Sequence, residues 1–313
     1  METNIFTSFR EKITENCGKV IVGKDEVILQ LMICLIAGGH ILIEDLPGTG
    51  KTMLLRAFAK SIGSDFRRIQ FTPDLMPSDI TGIHYFNQKR GEFEFRQGPL
   101  FTNLVLADEI NRATPRSQSA LLEVMEEKQI TVDGKTYMMS EPYMVMATQN
   151  PVESFGTFPL PEAQLDRFYM KLSMGYMTRE QEISVMRRED VKDILAKLTK
   201  VVTIEELKAL RAAFAEVKVN DDIAGYIMDI VEYTRNSKLL DCGISTRGSL
   251  ALFKACQIAA AFAGRDYVIP EDVKKEAVYV LPHRLSVSAE SHLSAEKFVE
   301  NMLLEVPVPL EKL

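Results

Sequence analysis

Leu46 to Thr52 reads LPGTGKT, two glycines followed by a lysine and a hydroxyl residue, set between an apolar run and an amphipathic one. Gly48 and Gly50 let successive N–H groups turn inward as an anion nest, and the helix opening near Lys51 adds its positive end. That is chemistry for a polyphosphate. Pro47, Gly48, Thr49, Gly50 and Met53 would form the cradle, Lys51 would neutralise β- and γ-phosphate charge, and the Thr52 hydroxyl would offer an oxygen to Mg²⁺. The strict pattern asks for one more glycine where Asp45 stands. That position lies at a strand's end and outside the nest, so it is expected to need glycine less than Gly48 and Gly50 do.

A second group follows in LVLADEINRA, an apolar strand ending in two adjacent carboxylates. Side chains at the C-terminal tip of such a strand face the crevice where ligands bind, so Asp108 can serve the metal and Glu109 can polarise an attacking water. A third strand ends in ATQNP, whose Asn150 can hydrogen-bond a γ-phosphate and a water without adding charge. Two arginines complete the set: Arg167 in LPEAQLDRF and Arg247 in GISTRGSL. A guanidinium pairs bidentately with a γ-phosphate and stabilises the charge that develops as the bond breaks. Neither has to share a subunit with Lys51, and Arg112 and Arg116 beside the acidic pair compete for the role.

These groups need strands with short tips. Residues 40–44, 66–71, 103–107, 143–147 and 168–172 are apolar runs without alternation, separated by helical patterns at 5–18, 25–37 and 51–61. This is the signature of a parallel sheet covered on both faces. Two stretches, 80–98 and 129–138, read as hairpins, the second turning on Asp133-Gly134. Beyond Gly175 helical patterns take over at 178–198, 203–217, 221–236, 244–263, 270–280 and 289–303. The domains expected are a core over 1–177, a linker helix over 178–200 and an all-α domain over 201–313.

At 313 residues, 46% hydrophobic and 26% charged, the chain has the composition of a folded globular protein. Its 37 basic and 44 acidic residues give a net charge of −7, and neither half carries a basic excess, which disfavours nucleic acid as a partner. Lys89 and Arg90 at the first hairpin tip are a small exception. Four cysteines without a CxxC pair predict neither a zinc site nor a disulfide framework. The longest apolar run, 27–43, is broken by Gly38, Gly39 and His40, short of the ~20 residues of a membrane span. METNIFTSFREK carries no apolar signal region, so a reducing cytoplasm is expected.

Taken together these motifs resemble the AAA+ ATPases and, within them, the MoxR family of the helix-2-insert branch. LPGTGKT is similar to the Walker A motif, LVLADEINRATPRSQSALLEVMEE to Walker B with its following helix, ATQNP to sensor 1, LPEAQLDRF to the arginine-finger segment and STRGSL to sensor 2. The hairpins resemble the two inserts that mark the branch. The resemblance implies an α/β fold, a P-loop αβα core with a five-stranded parallel sheet followed by a helical lid. It implies ATP and Mg²⁺ as cofactors, and a ring, expected to be a homo-hexamer, with Arg167 reaching a neighbour's ATP and Arg247 acting in its own subunit or the next. Val22 and Gly23 resemble the loop over the adenine. The family implies a chaperone-like remodeller that matures partners or inserts their cofactors, alongside a protein with a von Willebrand factor A domain. A nucleic-acid motor and a magnesium-chelatase-like motor subunit are the alternative readings.

Overall fold

The computed structural model describes residues 4–45, 48–150, 156–187, 190–288 and 290–309. In chain order its helices and strands are α1 (Asn4–Gly18), α2 (Asp25–Ala37), β1 (Ile41–Glu44), α3 (Lys51–Ile62), β2 (Phe66–Gln70), α4 (Pro77–Thr81), β3 (Gly82–Asn87), β4 (Glu92–Gln97), β5 (Leu104–Asp108), α5 (Pro115–Glu127), β6 (Gln129–Val132), β7 (Lys135–Met138), β8 (Met144–Gln149), α6 (Glu162–Leu165) and β9 (Met170–Leu172). There follow α7 (Arg179–Met186), α8 (Val191–Lys197), α9 (Ile204–Ala213), α10 (Asp221–Asn236), β10 (Leu240–Cys242), α11 (Thr246–Phe262), α12 (Pro270–Val280), β11 (Ser286–Val287) and α13 (Ala295–Glu305).

Five strands form one parallel sheet in the order β2-β5-β8-β1-β9. β1, β5 and β8 are buried along nearly their whole length, which is why their sequences show no alternation. One apolar core, including Ile41, Ile43, Leu104, Leu106, Met144 and Met146, packs beneath α1, α2 and α3 and runs on into the C-terminal helices. The other, built on Leu42, Val105, Ala107, Val145 and Ala147, is closed by α5. The expected αβα core with its five-stranded sheet and helical lid is therefore the architecture observed.

β3 with β4 and β6 with β7 pair antiparallel as separate hairpins. They touch: Phe95 stacks on Tyr137 with ring centroids 4.5 Å apart, and His84 Nδ1 lies 2.7 Å from the Asp133 carboxylate.

The helical domain departs from expectation in three places. The stretch 178–198 forms two helices instead of one, because the Asp190 side chain accepts from Lys192 N and caps a fresh start for α8. The helix expected from 289 begins only at Ala295, where Ser294 supplies the cap; His292 before it has a left-handed backbone, φ 51°. The domain is also not purely helical, since β10 and β11 pair antiparallel. Those strands are three and two residues long, too short to leave a periodic signal.

Candidate functional site

Parallel pairing brings the C-terminal tips of β1, β5 and β8 side by side. Glu44 is in register with Gln149, and Gln70 of β2 with Asp108. A cleft of about 360 Å³ opens over these tips, lined by Asp45, Gly48, Thr49, Gly50, Lys51, Thr52, Met53, Arg68, Asp108, Glu109, Thr148, Gln149 and Asn150. Of the residues named from the sequence, the cleft gathers nine of the loop and strand-tip positions: Gly48 to Met53, the pair Asp108 and Glu109, and Asn150. Pro47 lies outside the described residues.

Gly48 and Gly50 have φ of 85° and 87°, the left-handed backbone a side chain resists and an anion nest requires. Asp45 is not among the positive-φ residues. It is buried, its carboxylate accepts from Met174 N at 3.2 Å, and its carbonyl accepts from Lys51 Nζ at 3.2 Å. Its side chain thus turns back toward the end of β9, which explains why an aspartate is tolerated where the strict motif has glycine.

The acidic pair is held by Thr148 of ATQNP, by Arg112 and by two residues of β2 outside the motifs, Arg68 and Gln70. Thr148 Oγ1 donates to Asp108 Oδ1 at 2.6 Å and accepts from Glu109 N at 2.9 Å. Arg68 donates to Asp108 Oδ2 through Nε and Nη2, at 2.9 and 2.6 Å. Gln70 Nε2 donates to Glu109 Oε2 at 2.7 Å, and Arg112 Nε stands 3.2 Å from the same oxygen. Glu109 itself is left-handed, φ 57° and ψ 50°, an uncommon conformation for a residue with a side chain and one tolerated where surroundings fix it. The one sequence signal for Arg68 and Gln70 is their spacing: two apart on β2, they share a face, but β2 is a mostly exposed edge strand and only its register with β5 brings them to the acidic pair.

Val22 and Gly23 do not line the cleft. Their segment runs beside the phosphate loop, since a Cβ placed on Gly50 would meet Ile21 at 3.6 Å. It also leans on the helical domain: a side chain on Gly23 would collide with Gln181 of α7, and buried Lys24 donates to the carbonyls of Met174, Gly175 and Tyr176.

Arg167 and Arg247 do not face this cleft. They line a separate cavity of about 220 Å³ with Gly38, Gly39, His40, Glu126, Asp166 and Arg284, at the N-terminal edge of β1 and thus the opposite end of the sheet from Lys51. Arg116 is exposed near the start of α5.

Among the described residues no cluster of three or more His, Cys, Asp or Glu could hold a metal. Thr52 and Asp108 line the same cleft, and an oxygen from each would suit Mg²⁺, which takes few protein ligands and keeps water and phosphate for the rest. No helix of the described residues is long and apolar enough to cross a membrane.

Comparison with known proteins agrees with this geometry. Residues 40–170 match the model of the ATPase family associated with various cellular activities (AAA), and residues 232–302 match the AAA lid domain. A Bacillus subtilis protein named Uncharacterized protein YeaC is 48% identical over 96% of this chain and 95% of its own length. Chaperone MoxR1 of Mycobacterium tuberculosis is 39% identical over 93% of this chain and 80% of its own. A crystal structure from Cytophaga hutchinsonii, described as a candidate ATPase, superposes with a TM-score of 0.90 at 39% identity, covering 98% of each chain. With a five-stranded sheet in this order, a phosphate loop at its tip and a lid beyond, the chain belongs to the MoxR family of AAA+ ATPases.

Proposed function

We propose that this ATPase hydrolyses MgATP at the cleft over β1, β5 and β8, and that a ring of copies uses the cycle to remodel a protein client. In this reading the nest of Gly48 to Gly50 and Lys51 bind the phosphates, Thr52 and Asp108 hold Mg²⁺, and Glu109 accepts a proton from the attacking water while Asn150 orients it. The metal would neutralise phosphate charge as the bond to the leaving oxygen lengthens. The observation that carries the reading is the convergence of Lys51, Thr52, Asp108, Glu109 and Asn150 on one cleft.

Gln70 and Arg112 both approach the same Glu109 oxygen, Oε2, so that oxygen is engaged and cannot turn to an attacking water until they let go. Arg167 and Arg247, at the far end of the sheet, are suited to a neighbouring subunit's γ-phosphate, which favours a ring, hexameric by family resemblance. Hydrolysis then removes the group that joins two subunits, giving the ring two states. Phe86 and Phe93 at the first hairpin tip are 51% and 73% exposed with rings 5.3 Å apart, a surface that can grip a client. Maturation or cofactor insertion in that client, a von Willebrand factor A domain partner and a cytoplasmic setting complete the proposal.

Glu109→Gln is the test. It should bind MgATP as the parent does and hydrolyse it at least 100-fold more slowly, the scale on which an acid–base group acts; parental turnover in this variant would refute the assignment.

A further inference from the structure

At the far end of the sheet one carboxylate joins both domains. Glu126, near the end of α5, pairs with Arg167, whose Nε lies 3.1 Å from Oε2, and accepts from Arg247 Nη2 through Oε1. Arg167 comes from the core, Arg247 from the first turn of α11 in the lid. The contact to Arg167 runs through Nε and does not need the fork of terminal nitrogens that takes a phosphate bidentately.

The supports of both arginines are also tied together. Asp166, beside Arg167, accepts from Ser245 Oγ at 3.0 Å and from Arg284 Nε at 2.9 Å. Ser245 caps the helix that carries Arg247. Arg284, almost fully buried, donates on to the carbonyl of Phe168 at 2.7 Å. On the other side, His40 Nε2 lies 2.8 Å from the Met125 carbonyl and fixes the turn of α5 that carries Glu126. Around the cavity Lys128, Arg167, Arg247 and Arg284 face only Glu126 and Asp166, an excess of positive charge suited to an anion.

We propose that Glu126 is a positioning residue that gathers the core and lid arginines on one point, so that a neighbour's γ-phosphate meets them already converged. This rests on the intersubunit reading above. As ion pairs alone the contacts stabilise the chain little, since each partner is about a third or more exposed. Their effect is on geometry, where a displacement of about 1 Å costs on the order of 100-fold in rate.

The experiment measures ATP turnover of Glu126→Gln and Glu126→Ala, alone and mixed with Lys51→Ala before assembly. Arg167→Ala mixed with Lys51→Ala serves as the control. Both Glu126 variants should lose roughly 10- to 100-fold in kcat with ATP affinity unchanged, because their own clefts are intact. Lys51→Ala subunits, inactive alone, should restore turnover by supplying ordered arginines to those clefts. The proposal is overturned if the Glu126 variants turn over like the parent while Arg167→Ala loses activity and is rescued. It is equally overturned if they lose activity that Lys51→Ala does not restore although it restores Arg167→Ala. If the control itself shows no rescue, the intersubunit reading fails and this proposal falls with it.

Discussion

His40 joins β1 to the element that carries Glu126, and it does so as a neutral ring. Its Nδ1 accepts from Val145 N at 2.9 Å, so the proton sits on Nε2, which donates to the Met125 carbonyl at 2.8 Å. The side chain is 4% exposed, and burial pushes its pKa down from 6.5 to about 4. A second proton on Nδ1 would face a donor in place of an acceptor. The unfolded chain takes up that proton near pH 6.5 while the fold refuses it until about pH 4. Stability is therefore fully present above pH 6.5 and lost as pH falls toward 4, by about 2.5 kcal/mol between pH 7.5 and 4.5. Denaturant unfolding of the parent and of His40→Gln across that range isolates the effect, because groups common to both cancel in the difference. The variant should be less stable at pH 7.5, having lost a matched donor and acceptor. The gap should narrow by about 2.5 kcal/mol by pH 4.5. A gap that stays constant with pH would refute the neutral, proton-excluding assignment.

Glu276 of α12 gives a prediction of opposite sign. It is fully buried, one oxygen accepts from Gln30 Nε2 at 3.2 Å and the other has no partner among the described residues. Burial raises its pKa from 4.5 to about 8, so its favourable contribution is present below pH 4.5 and is lost as pH rises through 8. Glu276→Gln should remove that alkaline decline, leaving the variant more stable than the parent at pH 8.5 by a few kcal/mol; equal slopes in the two unfolding series would contradict it. Gln70→Ala should release one donor from Glu109 and raise basal ATP turnover about fivefold, corresponding to about 1 kcal/mol, without changing ATP affinity. A lowered kcat would show that Gln70 assists Glu109 in place of restraining it.

The sheet and the phosphate loop were legible because their signals are local. Buried parallel strands spell continuous apolar runs, and an anion nest spells glycine at fixed spacing. The hairpin at 129–138 was likewise written in Asp133-Gly134, whose φ values of 49° and 77° both lie in the left-handed region. What the sequence could not show is long-range. Arg68 and Gln70 acquire meaning only when β2 lies in register against β5. Glu126 reads as one acid among several in LEVMEE until α5 brings it to Arg167 and Arg247. The break between α7 and α8 and the late start of α13 were decided by the caps Asp190 and Ser294, whose hydrogen bonds outweighed the helical periodicity on which the longer helices were expected. Val22 and Gly23, which resemble the loop over the adenine, do not line the cleft at the strand tips; their segment approaches the phosphate loop through Ile21.

The measurement that bears most directly on the account is a calorimetric titration of MgATP into the parent chain and into Lys51→Ala. Lys51 and the nest of Gly48 to Gly50 line one cleft. The parent should take up ATP saturably, and removing the ammonium that balances phosphate charge should abolish uptake. Equal affinity in the two proteins would mean that nucleotide binds elsewhere, and the cleft over β1, β5 and β8 would no longer be the site of hydrolysis.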